Sequence, residues 1–184
     1  MIRFRPTPLA GACIVDSDAH EDERGSFYRT FCRDEFVAYG LRADFAQASL
    51  SRNHARGTLR GMHYQTAPRP EHKLVRCVRG AAHDVVIDLR PGSPTFRDWF
   101  AVELSEANRI AIYIPPGFAH GFLSLAHGTD ILYQMTESYV SELATGVRWN
   151  DPAFGIVWPF DPILMSVRDR AYADFHPSSG IEPC

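Results

Sequence analysis

Ionisable side chains set inside apolar runs are the residues of this chain that could do chemistry. His63 stands in "LRGMHYQ" (59–65) and Lys73 opens "KLVRCVRG" (73–80). Asp84 and Asp88 flank "VVI", His120 follows "PPGFA", and Tyr133 and Tyr139 lie on either side of "QMTES". An imidazole exchanges protons near neutral pH, so His63 is either a proton-transfer group or a hydrogen-bonded structural residue. Read as a strand, "LRGMHYQ" puts Leu59, Gly61, His63 and Gln65 on one face and Arg60, Met62 and Tyr64 on the other. Lysine and aspartate are rarely buried alone. An inward Lys73 therefore needs a cavity, a ligand or a carboxylate; the alternative is that Lys73, Asp84 and Asp88 face solvent on alternating strands.

The elements that must position these groups read as strands. Gly and Pro recur too often for long helices, and "KLVRCVRG" (73–80), "AHDVVIDLR" (82–90), "WFAVELS" (99–105), "RIAIYIP" (109–115), "HGFLSLA" (120–126) and "DILYQMTESYV" (130–140) are strand-like. "SEAN" (105–108) reads as a turn between strands, and "RDEFVAYG" (33–40) as a short helix closed by Gly40. With neither repeats nor a low-complexity linker, the 184 residues are expected to form one all-β domain, 1–184, of sandwich or jelly-roll type with irregular ends.

Composition narrows the setting. A net charge of −3 and a pI near 6.2 leave no basic excess for a nucleic-acid surface, although local basic clusters could hold a small anion. Cys13, Cys32, Cys77 and Cys184 show no CxxC spacing, which suits neither zinc nor a disulfide framework and fits a reducing cytoplasm. Residues 1–20 lack an apolar stretch of signal-peptide length and no run is long enough to span a bilayer, so no membrane association is expected.

Several motifs occur together in one order. "DERGSFYRTF" (22–31), "QASLS" (47–51), "LRGMHYQ", "KLVR" (73–76), "DVVIDLRPGSPTF" (84–96), "IPPGFAHGF" (114–122), "YQMTESY" (133–139), "WNDP" (149–152) and "MSVRD" (165–169) closely resemble the dTDP-4-dehydrorhamnose 3,5-epimerase family of nucleotide-sugar epimerases. The resemblance runs from about residue 4 to residue 172. It implies a cupin-type jelly roll with short peripheral helices, usually a homodimer. It also implies that a nucleotide-linked 4-keto-6-deoxyhexose is inverted at carbon 3 and carbon 5 without metal or organic cofactor, as a step of deoxysugar biosynthesis.

A ketone at carbon 4 acidifies the hydrogens on both neighbouring carbons. Inversion then needs a base on one side of the ring, an acid on the other and a cation or donor near the enolate oxygen. His63 suits the base. By the resemblance, Asp169 of "SVRD" is its carboxylate partner, Tyr133 the phenolic acid and Lys73 the cation beside the ketone. The resemblance likewise places Arg24, Phe27, Gln47, Arg60, His120 and Tyr139 on nucleotide or sugar. For Arg60, which an ideal strand points away from His63, this requires a bulged or twisted strand or a site shared with a neighbouring subunit; Gly61 is read as leaving room for the sugar.

The chain departs from the family pattern at four positions. Arg168 replaces a lysine, keeping the charge for a pyrophosphate. Ser49 stands for asparagine, Ala144 for glutamate, and Arg29 for a glutamate able to accept the thymine N–H. Arg29 can only donate, which suits a cytosine ring nitrogen; otherwise it turns to solvent or phosphate. Two readings of other classes remain. A metal-dependent cupin could use His63, His83 and His120, but the chain lacks the H-x-H pair such cupins carry. A non-catalytic sugar-nucleotide binder would have shed the acid or base, whereas His63, Lys73, Tyr133 and Asp169 are all present.

Overall fold

The computed structural model describes residues 1–176, so Cys184 and the end of the expected domain lie outside the described residues. Numbered in chain order, one sheet contains β1 (Ile2–Pro6), β2 (Cys13–Ser17), β10 (Ala111–Ile114), β7 (Lys73–Arg79), β12 (Thr129–Met135) and β5 (Gln47–Asn53), side by side in that order. The second contains β13 (Ala144–Gly146), β6 (Leu59–Gln65), β11 (Phe118–Ser124), β8 (Ala81–Asp88) and β9 (Trp99–Ser105). A separate hairpin joins β3 (Ala19–Asp22) to β4 (Gly25–Tyr28), and the helices are short, α1 (Arg33–Ala38) and α2 (Val167–Arg170). The strands pair antiparallel throughout both sheets and the hairpin, giving an all-β jelly roll.

Between the sheets lies a core of Ile14, Val75, Cys77, Val86, Leu104, Ile112, Ile114, Phe118, Phe122 and Ile131. Strand periodicity decides what else points inward. Continuing the inward faces of β7, β8, β11 and β12 adds Lys73 beside Val75, Asp84 beside Val86, His120 between Phe118 and Phe122, and Tyr133 beside Ile131. The apolar interior thus turns polar over part of its length, and Lys73, Asp84 and Asp88 are buried rather than solvent-facing. Asp88 is satisfied locally by Arg90, Ser93 and Thr95.

The outer faces are covered as well. Phe36 of α1 packs with Cys13, Val15, Leu74 and Tyr113 on one side, and Val147 and Phe154 cover Met62, Val85 and Ile87 on the other. Double burial explains why β10 and residues 85–87 of β8 read as continuous apolar runs. Gly40, at φ 87°, closes the α1 segment as expected, its N–H donating to the Val37 carbonyl.

The strand expected over 130–140 stops at Met135. Beyond it the Tyr139 and Val140 N–H groups donate to the side chains of Gln47 and Gln65 instead of to a neighbouring strand. Cys13, Cys32 and Cys77 are free thiols. No helix among the described residues is long and apolar enough to cross a membrane.

Candidate active site

A cavity of about 370 Å³ opens where the interior becomes polar, lined by His63, Glu71, Lys73, Tyr133, Tyr139 and Arg168 among others. His63 enters from β6 in one sheet; Lys73 and Tyr133 enter from β7 and β12 in the other. The side chain of His63 is 40% exposed, and its Nε2 lies 2.7 Å from Oδ1 of buried Asp169. Asp169 is fixed by α2, whose Ser166 cap accepts its backbone N–H at 3.0 Å. Burial alone would raise the Asp169 carboxyl. The His63 hydrogen bond and charge, with support from Gly61 and Ser166, outweigh it and hold the group below the usual carboxylate range. An ionised acceptor at Nε2 places the proton there and leaves the Nδ1 lone pair free.

Lys73 is almost enclosed. Its Nζ lies 3.2 Å from Glu71 Oε1 and donates to the His63 carbonyl at 3.3 Å. Tyr133 packs edge-on against His120 with ring centroids 5.8 Å apart, and His120 Nε2 is 2.9 Å from the fully buried Asp84 Oδ2. Burial, then the negative charge of Asp84, pushes the Tyr133 phenol well above its ordinary value, with Arg60 pulling the other way. The arrangement can take a proton on one wall and return one from the other, with an ammonium in the same space.

Arg60 reaches this region because β6 bulges. His63 pairs with His120 while Arg60 pairs with Phe122, so three steps along β6 match two along β11. The alternation is broken there, and Arg60, His63, Arg168 and Asp169 share an adjoining cavity of about 420 Å³. The Arg60 Nε donates to Asn53 Oδ1 at 2.8 Å. Gly61 has a different role from the one expected. A Cβ at Gly61 would lie 2.5 Å from the Gly121 Cα, so the glycine permits close contact of β6 with β11 rather than leaving room for a ligand.

Gln47 and Ser49 of β5, with Tyr139, complete the main cavity, while Arg168 donates to the Ala144 carbonyl at 2.5 Å. Three expected ligand contacts are not brought there by this chain. Arg24 pairs with Asp22 on the β3–β4 hairpin, where Phe27 is 77% exposed. Arg29 is held by Glu35 at 2.6 Å, beside Ile2, Phe4 and Tyr39. His83 faces away from the interior toward Trp158, so the three histidines of the metal reading do not converge; among the described residues no group of three or more His, Cys, Asp and Glu could hold a metal ion.

Asp84, singled out in the sequence as an ionisable group in an apolar run but given no role there, proves to be the partner of His120, in keeping with its parity with inward Val86. Glu71, just ahead of β7, escaped the sequence reading and carried no signal.

Residues 6–176 match the family model described as dTDP-4-dehydrorhamnose 3,5-epimerase. The chain belongs to that family. It is 43% identical over 171 residues to the dTDP-4-dehydrorhamnose 3,5-epimerase of Methanothermobacter thermautotrophicus, covering 91% of each chain. The Bacillus anthracis enzyme of the same name, solved with TDP and PPi bound, superposes with a TM-score of 0.92 at 34% identity, covering 95% of this chain and 100% of that one. A 3'-monoepimerase from Streptomyces bikiniensis in complex with dTDP-quinovose gives 0.86 at 35% identity, over 92% and 86%. The family member described here is thus a cupin-type jelly-roll epimerase acting on a nucleotide-linked deoxysugar.

Proposed function

We propose that this epimerase inverts both carbon 3 and carbon 5 of a dTDP-linked 4-keto-6-deoxyhexose, with His63 as base and Tyr133 as acid. The observation that carries the reading is their origin: His63, oriented by Asp169, and Tyr133 project into one cavity from opposed sheets. His63 Nδ1 takes the proton from the carbon next to the ketone; the C–H electron pair becomes the C=C bond of the enolate as the C=O π pair moves onto the ketone oxygen. Lys73 donates to that oxygen. Tyr133, whose raised phenol keeps its proton until an enolate is present, delivers it to the opposite face. The partly exposed His63 returns its proton to solvent, and the Tyr133 phenolate is reprotonated from solvent. The cycle then closes without net change in the enzyme.

Arg60 and Arg168 are the cations for the diphosphate, with Gln47, Ser49, His120 and Tyr139 around sugar and base. The chain acts as one domain in the cytoplasm and as a homodimer. In that dimer the exposed β3–β4 hairpin offers Arg24 and Phe27 to the partner's ligand. The TDP and dTDP-quinovose in the neighbouring structures favour thymidine over cytidine, as does the engagement of Arg29 by Glu35.

A second reading, inversion at one centre as in the neighbouring 3'-monoepimerase, would need the same groups. Incubation in deuterated water with thymidine- and cytidine-linked 4-keto-6-deoxyglucose, followed by NMR, separates these. The proposal expects deuterium and inversion at both carbons of the thymidine sugar. Inversion at one carbon, or preference for cytidine, refutes the corresponding part.

A further inference from the structure

Glu71 is a carboxylate in the main cavity that the proposed chemistry does not use. The Glu71–Lys73 contact is 3.2 Å, and the two side chains are only 13% and 11% exposed, so solvent does little to screen it. The backbone explains why both point inward. Intervening His72 faces outward, its Nδ1 2.7 Å from the Tyr113 hydroxyl, and its backbone exchanges hydrogen bonds with Thr136: the His72 N–H to Thr136 Oγ1 and the Thr136 N–H to the His72 carbonyl. With His72 pinned on one face, period-two alternation sends Glu71 and Lys73 to the other. An ammonium carries three N–H donors. Glu71 and the His63 carbonyl take two, which leaves one for a ligand.

We propose that Glu71 is a positioning residue. It fixes the Lys73 ammonium so that its remaining N–H is aimed at the ketone oxygen of the sugar, and it touches neither sugar nor nucleotide itself. The inference rests on the epimerase reading above. Glu71 therefore acts on the enolate-forming step and hardly on nucleotide binding. A carboxylate needed only for folding would change both together with the melting temperature.

The test is a double-mutant cycle of Glu71→Gln and Lys73→Met on the full chain. Its readouts are solvent-deuterium exchange into the thymidine-linked keto sugar, thymidine diphosphate affinity and melting temperature. Glu71→Gln is expected to slow exchange about 10-fold in the otherwise wild-type protein, to leave nucleotide affinity within about twofold, and to have no further effect once Lys73 is methionine. Exchange at the wild-type rate overturns the proposal, as does equal slowing in the Lys73→Met background or a matching loss of nucleotide affinity. Glu71→Asp is carried through the same cycle, so the comparison stands if the glutamine variant folds poorly. Failure of the wild-type protein to exchange the sugar refutes the epimerase reading instead.

Discussion

Replacing Asp169 by asparagine removes one charge from the His63 pair with almost no change in volume. At the observed 2.7 Å, a full unit-charge interaction at an effective dielectric of 20 amounts to about 6 kcal/mol. The exposed part of His63 lets water screen the imidazolium, which reduces the usable part to ~2–3 kcal/mol. If His63 becomes imidazolium while the enolate forms, that loss slows exchange about 30- to 150-fold. The substituted amide can also turn its NH₂ toward Nε2, which forces the imidazole proton to Nδ1 and removes the base. The slowing is thus a lower bound. Deuterium incorporation into the thymidine-linked keto sugar measures the rate, and calorimetry with thymidine diphosphate shows whether the site is intact. Exchange at the wild-type rate with unchanged nucleotide affinity would refute the assignment of Asp169 as the group orienting and stabilising His63.

Lys73→Met keeps the aliphatic stem without the charge and is expected to lower turnover about 10²- to 10³-fold with nucleotide affinity preserved, measured by steady-state kinetics and calorimetry. Gly61→Ala should cost about 1–3 kcal/mol in urea unfolding, because its Cβ would meet the Gly121 Cα at 2.5 Å and φ is 143°. Burial, aided by the Arg42 charge, depresses His72 from 6.5 to about 4. The unfolded chain therefore binds the extra proton first as pH falls, so stability declines from about pH 6.5 down to about pH 4. His72→Asn should flatten that interval in a pH series of thermal melts.

The strands from Lys73 to Met135 were largely legible because burial on both faces leaves long apolar runs between clear turns. The segments β3, β4 and β5 were not. "AHED", "GSFY" and "QASLSRN" carry no inward apolar face, and a hairpin or edge strand of that composition is stabilised by pairing that one-dimensional periodicity does not report. Within the site, Lys73 and Tyr133 follow from strand parity once β7 and β12 are placed. Arg60 does not, because a bulge shifts the alternation through it and depends on the partner strand. Gly61 was misread for the same reason: its neighbour is the Gly121 backbone, brought close only by the pairing of β6 with β11. Glu71 stayed hidden because only the anchoring of His72 on the opposite face turns it toward Lys73.

In the proposed mechanism His63 removes the proton and Tyr133 returns one from the opposite wall. The most direct measurement follows the thymidine-linked keto sugar in deuterated water by NMR with His63→Ala and Tyr133→Phe side by side. His63→Ala is expected to lose both exchange and inversion, whereas Tyr133→Phe is expected to retain exchange at the acidified carbons but to yield little inverted product. Inversion by Tyr133→Phe at the wild-type rate, or continued exchange in His63→Ala, would contradict it.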